Sequence, residues 1–96
     1  MGLFDFFKKD IILGIEFPKF NGQKLYAIGG GAKNTHKYQR KDYYYKLNQE
    51  KLNNYIALIN SHGFIKSNDI KYVKQNAYII IEQENYHLHI AFHVNK

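Results

Sequence analysis

Three histidines on the predicted last strand are the first residues whose type and spacing could do chemistry. His87, His89 and His93 project from one face of that strand, where residues two apart lie about 7 Å from each other. That separation lets two imidazoles bind one metal ion, and a turn at Glu84-Asn85 places Glu82 opposite His87. Glu82, His87 and His89 are therefore candidate zinc ligands. A solvated face with a Glu82–His87 pair is the favoured interpretation, so neither a metal nor a cofactor is predicted.

The same histidines are candidates for general acid–base catalysis. Metal-free ribonucleases use His, Lys, Arg and Tyr on a sheet to deprotonate a 2′-hydroxyl, protonate the leaving oxygen and stabilise the phosphorane. Lys71, His87 and His89 would carry those roles here. Residue types without a fixed spacing occur in most basic proteins, so the sequence favours a protein without catalytic activity.

A basic, tyrosine-rich segment, residues 33–46, is a candidate for nucleic-acid binding. Its cations could follow a phosphate backbone while its tyrosines stack on bases. A lysine-rich edge strand that resists aggregation gives the same pattern, and tyrosine favours strands for packing reasons alone. The candidate residues are Lys33, Lys37, Tyr38, Arg40, Lys41, Tyr43 and Tyr45.

The net charge gives weaker information than its size suggests. The chain carries 14 basic residues against 8 acidic ones, a net charge of +6 over 96 residues, which favours an anionic partner. Arg40, however, is the only arginine, and proteins that read phosphates and base edges favour arginine for its planar, bidentate fork. The abundance of Lys, Asn, Ile and Tyr is typical of an AT-rich genome, so codon bias explains part of the charge equally well.

The sequence has no cysteine, which excludes disulfides, thiolate metal sites and cysteine nucleophiles. Its start lacks the basic region and the unbroken apolar run of a secretory signal. The longest apolar stretch elsewhere, residues 11–15, is far shorter than the roughly 18 residues that span a bilayer. No transmembrane segment is predicted, and the cytoplasm is the expected location.

A short N-terminal helix is predicted from an apolar stripe formed by Leu3, Phe4, Phe7 and Ile11. Such a helix could lie on a membrane surface, yet one or two amphipathic turns with a net charge near zero form a poor anchor. We therefore expect the stripe to pack on the sheet, rather than residues 2–9 to contact a membrane.

Asn21-Gly22, between two alternating apolar runs, predicts an N-terminal hairpin. Residues 11–17 and 23–28 are its strands, and the Asn-Gly pair supplies the positive φ angles of a type I′ turn. This register pairs Ile15 with Ile28 and Phe17 with Tyr26. A further, tyrosine-rich strand is expected over residues 38–47.

The central helix is predicted over residues 49–62. Asn48 is a favourable N-cap, and Gly63 ends the helix in a left-handed conformation, with Phe64 packing on its last turn. The apolar residues recur at the spacing of one helical face. They are Leu52, Tyr55, Ile56 and Ile59.

The last third of the chain predicts a three-stranded meander with turns at Gln75-Asn76 and Glu84-Asn85. Apolar residues then meet apolar residues on an inner face that the helix can cover. The inner face comprises Ile70, Tyr72, Ile79, Ile81, Leu88, Ile90 and Phe92. The outer face has an apolar centre within a polar rim, as protein interfaces do. Its candidate interface residues are Val73, Tyr78, Ile80 and Ala91.

These elements predict an α+β fold in a single domain over residues 1–96. It has two layers, an antiparallel sheet of about five to six strands packed on the central helix, together with the short N-terminal helix. The favoured function is a non-catalytic protein that binds a protein partner, or a second copy of itself, through the outer face. The alternative is a nucleic-acid-binding protein acting through residues 33–46, or a metal-independent ribonuclease.

Overall fold

Eight strands and one helix follow one another in residues 9–28 and 37–96, the parts of the chain that this computed structural model describes. Every strand pairing is antiparallel. Strands β1 and β2 form a separate hairpin, and the other six form one sheet in the order β3-β4-β8-β7-β6-β5. The elements are β1 (Lys9–Ile12), β2 (Ile15–Pro18), β3 (Lys24–Ile28), β4 (Tyr38–Lys46), α1 (Gln49–Ser61), β5 (Ile65–Lys66), β6 (Lys71–Lys74), β7 (Ala77–Glu84) and β8 (His87–Asn95).

The predicted α+β arrangement of an antiparallel sheet and a helix is therefore confirmed. The predicted N-terminal helix is not part of it, because residues 1–8 lie outside the described residues and Ile11 belongs to β1. Helix α1, with 13 residues, is too short and too polar to cross a bilayer, and it is the one helix in the described parts of the chain.

The predicted N-terminal hairpin is wrong in its turn and its pairing. The chain reverses at Leu13-Gly14, where both φ angles are positive, 48° and 82°, as a type I′ turn requires. Strand β3 pairs with β4 instead of β2. This arrangement frees Phe17 to enter the core, where its ring stacks on Phe92 at 4.7 Å and meets Phe64 at 5.5 Å. Burial of an aromatic ring outweighs the local preference of an Asn-Gly turn.

In the meander, the strand residues lie on the predicted sides of the sheet, although one of the two turns is displaced. Tyr72 pairs with Ile79 across the predicted turn at Gln75-Asn76. The second turn is Asn85-Tyr86, since Glu84 pairs with His87, and this moves the register by two residues. A shift of two leaves every side chain on its own face. Ile70 alone departs from the predicted inner set, because it precedes β6 and is exposed.

Helix α1 begins at the predicted residue and ends at Ser61, one residue before the predicted end. The Asn48 side chain accepts a hydrogen bond from the Lys51 backbone N–H at 3.0 Å. Gly63 has a φ of 90°, and the Phe64 N–H donates to the Ile59 carbonyl at 3.1 Å, which is the pattern of a Schellman motif. These caps fix the helix so that Leu52, Tyr55 and Ile59 are buried.

One apolar core lies between the inner face, α1 and the β1–β2 hairpin. Its buried residues come from all three parts and from Phe20, which packs edge-on against Tyr45 and Tyr55. The Tyr55 hydroxyl donates to the Pro18 carbonyl, and the Tyr43 hydroxyl donates to Asp10, so both ties join the hairpin to the rest of the fold. The opposite face of the sheet therefore has no role in this core.

Candidate functional site

The outer face is the surface of β3, β4, β8, β7 and β6 whose side chains alternate with those of the core. The neighbouring strands β4 and β8 both contribute long polar or aromatic side chains to it. The outer face comprises Tyr26, Tyr38, Arg40, Asp42, Tyr44, Lys46, Lys71, Val73, Tyr78, Ile80, Glu82, Glu84, His87, His89, Ala91 and His93.

A first row of stacked rings crosses three strands of the outer face. Tyr26 pairs with Tyr44 in the sheet, and Tyr44 pairs with His89. Their ring centroids are 4.4 Å and 4.5 Å apart, and the planes of Tyr44 and His89 differ by only 4°. Tyr26, on the edge strand, is half exposed, whereas His89 is buried beneath Tyr44.

A second row of rings lies parallel to the first. The His93 imidazole is sandwiched between Tyr38 at 4.6 Å and Tyr78 at 4.4 Å. The Lys71 ammonium extends the row, because its Nζ lies 4.5 Å from the centroid of the Tyr78 ring, within reach of a cation–π interaction. Four strands thus contribute to this second row.

A buried ionic network joins the two rows. Asp42 is only 6% exposed, and its carboxylate accepts a bidentate pair of hydrogen bonds from Arg40, from Nε to Oδ1 at 2.9 Å and from Nη2 to Oδ2 at 3.0 Å. The His89 Nε2 lies 2.8 Å from Oδ2 of the same carboxylate. Ala91, the small residue paired with Asp42, leaves room for the network.

Burial alone would raise the pKa of Asp42, but the hydrogen bonds from Arg40 and His89 outweigh it and hold that pKa below its usual value. The hydrogen bond to Asp42 raises the pKa of Arg40 in turn. His89 also reaches a second carboxylate, with its Nδ1 3.7 Å from Oε1 of Glu82. The network therefore contains its own counter-charges.

His93 has a different environment. Its Nε2 lies 3.0 Å from the Asn95 side-chain oxygen, whereas its buried Nδ1 has no hydrogen-bond partner among the described residues. Burial between two rings lowers the pKa of His93, and this effect exceeds the opposing effect of the Asn95 hydrogen bond. Near neutral pH the ring is therefore an uncharged spacer between tyrosines.

The predicted metal ligands do not form a three-residue cluster. Glu82 pairs with His89, not with His87 as predicted, because the displaced turn moves the strand by two residues. His87 is exposed opposite Glu84. No group of three or more His, Cys, Asp or Glu side chains that could hold a metal ion is found in residues 9–28 and 37–96.

The candidate catalytic residues share the outer face without converging. His89 is held by Asp42, His87 lies at the end of β8, and Lys71 lies two strands away above Tyr78. None of these three residues lines the surface depressions formed by the β2–β3 loop, the end of β4 and α1.

The candidate nucleic-acid-binding residues are divided between the two faces. Strand alternation places Tyr38 and Arg40 on the outer face, whereas Lys41, Tyr43 and Tyr45 lie on the inner face. Tyr43 and Tyr45 are buried in the core, so their rings do not accompany the cations at the surface. Lys37 precedes β4 and is exposed, and Lys33 lies outside the described residues.

The candidate interface residues do share one surface. Val73 pairs with Tyr78, and Ile80 pairs with Ala91, all on the outer face. Ile80 and Ala91 are buried beneath longer neighbours, while Val73 and Tyr78 are partly exposed. Sequence reasoning missed Tyr26, Asp42 and Tyr44 as members of this surface. The alternation of residues 38–46, extended through β4, would have placed Arg40, Asp42 and Tyr44 together.

Comparisons with protein-family models, with curated proteins and with solved structures give no significant match for this chain.

Proposed function

We propose that this chain is a non-catalytic binding protein of the cytoplasm whose outer face docks on a protein partner. The observation that supports the proposal most is the ordering of the ring rows. Tyr26, Tyr44, Tyr38 and Tyr78 are stacked in place on a face that the apolar core does not use. Side chains fixed before binding lose little conformational entropy when a partner covers them.

The charge of the outer face favours a protein over a nucleic acid. Around the ring rows, the two cations Arg40 and Lys71 are matched by three acidic residues, Asp42, Glu82 and Glu84. A polyanion would gain little from such a surface. Tyrosine and arginine, by contrast, are the residue types most often found at the energetic centres of protein interfaces.

The test removes one ring from each row, the half-exposed Tyr26 and the partly exposed Tyr78. Tyr26→Ala and Tyr78→Ala, alone and together, are compared with Tyr86→Ala. Tyr86 is 85% exposed in the turn before β8 and makes no ring contact in the described residues, so it is a matched control. Sedimentation velocity over a range of concentrations detects a second copy, and cross-linked capture from cell extract, repeated with the purified partner, detects another protein.

We expect an association that the double variant loses and that Tyr86→Ala retains, with all variants still folded by circular dichroism. A chain that stays monomeric and captures the same proteins with or without the two rings would refute the proposal.

A further inference from the structure

A groove lies between the β2–β3 loop, the end of β4 and α1, and Lys46 at the end of β4 belongs both to this groove and to the border of the outer face. It consists of three adjoining depressions, the largest about 490 Å³ and the others about 130 and 200 Å³. Lys19, Asn21 and Leu58 line both the first and the second, and Lys51 lines both the second and the third. This continuous surface is the basic groove.

All the charged residues that line the basic groove are lysines: Lys19, Lys24, Lys46 and Lys51. Lys46 and Lys51 form no ion pair with any described residue. Lys24 likewise forms no ion pair in residues 9–28 and 37–96, and its Nζ lies 5.8 Å from the centroid of the Tyr43 ring. Four cations along one groove, of which Lys19 alone has a carboxylate partner among the described residues, form a strip of positive potential.

The carboxylate that pairs with Lys19 does not cancel this charge. Asp10 is buried behind the groove, and its Oδ1 lies 3.8 Å from Lys19 Nζ and 3.5 Å from Lys41 Nζ. It also accepts the Tyr43 hydroxyl hydrogen bond. A single buried carboxylate that is shared by two lysines leaves a surplus of positive charge on the surface.

The floor of the groove is apolar. Pro18, Phe20 and Tyr45 line its largest part but are buried, so the apolar surface open to a ligand comes mainly from Leu58, which is 41% exposed and lines two of the three depressions. The ligand that matches such a site carries several negative charges at intervals and also presents flat, weakly polar surfaces between them. A nucleic-acid single strand has both features, because its phosphates repeat and its bases are unpaired, whereas a duplex hides its bases.

We propose that the basic groove binds single-stranded nucleic acid, with the four lysines along the phosphate backbone and the bases over the apolar floor. Four phosphate contacts give a slope of about −2.8 for the logarithm of affinity against the logarithm of salt concentration. Affinity should therefore fall about 50-fold between 50 and 200 mM salt. The groove is separate from the ring rows of the outer face, so binding there does not depend on the proposed protein partner.

The experiment measures fluorescence anisotropy of a labelled 12-nucleotide oligo-uridine with the whole chain. Lys24→Gln/Lys51→Gln removes two groove cations, and Lys66→Gln/Lys96→Gln removes two exposed cations elsewhere, so both variants carry the same net charge. We expect the groove variant to bind about 20-fold more weakly at 0.1 M salt, with a salt slope reduced to about −1.4. The control variant should change affinity less than about twofold.

Three results would overturn the proposal: equal losses in the two variants, no binding by the wild type at 50 mM salt, or a duplex of the same length binding as tightly as the single strand. Tyr26→Ala/Tyr78→Ala should leave oligo-uridine binding unchanged. Failure of the nucleic-acid proposal is thereby distinguished from failure of the protein-partner proposal.

Discussion

The outer face and the basic groove use charged residues in opposite ways. On the outer face Asp42 accepts hydrogen bonds from Arg40 and His89, and Asp42 and His89 are buried, so the network ties β4 to β8. In the groove Lys46 and Lys51 have no partner among the described residues and contribute no packing to the core. A charge that the protein neutralises internally is structural, whereas one that it leaves uncompensated on a concave surface is available to a ligand.

The largest change in the free energy of unfolding should come from a substitution of Asp42. Asp42→Asn leaves the Arg40 guanidinium and His89 without their anion in a nearly buried position, and we expect a loss of about 3 kcal/mol in the free energy of unfolding by urea. Glu84→Gln, on the same face but exposed, should cost under about 0.5 kcal/mol. A loss below about 1 kcal/mol for Asp42→Asn would show that the network is not structural, and the comparison between the two surfaces would fail.

Lowering the pH should remove the stabilisation that the Asp42 carboxylate contributes to the folded state. Because the folded pKa of Asp42 is depressed, its stabilisation is present above the unfolded pKa of about 3.9 and disappears as pH falls through the lower folded pKa. We expect the difference in unfolding free energy between wild type and Asp42→Asn to hold from pH 7 to about 5 and to shrink below pH 4. Urea titrations at each pH measure it, and a constant difference down to pH 2 would contradict the assignment.

A smaller effect is expected from His93. Its folded pKa is lowered, so the unfolded state takes up the proton first, and the stability held above pH 6.5 declines as pH falls below that value. His93→Phe keeps a ring between Tyr38 and Tyr78 and removes the unpartnered Nδ1. We expect the loss in melting temperature between pH 7.5 and 5.5 to be smaller in His93→Phe than in wild type. Equal losses would mean that the other histidines account for the whole effect.

The smallest change in the free energy of unfolding should come from substituting lysines of the basic groove. Lys24→Gln/Lys51→Gln should change the free energy of unfolding by less than about 0.5 kcal/mol, and the sign should be stabilising at low salt because the net positive charge falls. Thermal unfolding at 20 and 200 mM salt checks this. A loss above about 1 kcal/mol would assign the lysines a structural role and remove the contrast with Asp42.

The sequence predicts the features of this fold that depend on burial and not those that depend on register. The inner face and the apolar face of α1 follow from hydrophobic periodicity, and the cap at Asn48 follows from its side chain. The turn at Asn85-Tyr86 could not be separated from one at Glu84-Asn85, because a shift of two residues exposes the same side chains. The first hairpin was wrong because its pairing depends on partners far along the chain: β3 pairs with β4, and Phe17 contacts Phe64 and Phe92.

The prediction of the candidate sites succeeded within single strands and failed where a site depends on the pairing of distant strands. Candidates within one strand, such as His87 and His89, were placed on the correct face, and Val73, Tyr78, Ile80 and Ala91 do share a surface. The network of Asp42 and His89 was missed because it depends on the pairing of β4 with β8, which no local pattern encodes. The basic groove was missed because Lys19, Lys24, Lys46 and Lys51 belong to different elements.

The pairing of β4 with β8 has a consequence for how the chain folds. Lys46 pairs with His87 and Tyr38 with Asn95, so β4 and β8 meet across the intervening helix α1 and the strands β5, β6 and β7. Such non-local pairing is typical of domains that fold in roughly milliseconds to seconds. Before β8 pairs with β4 and β7, each of these two strands has an edge whose backbone hydrogen-bonding groups are unpaired. Such edges can pair with another chain, so this is the stage of folding at which aggregation is favoured most.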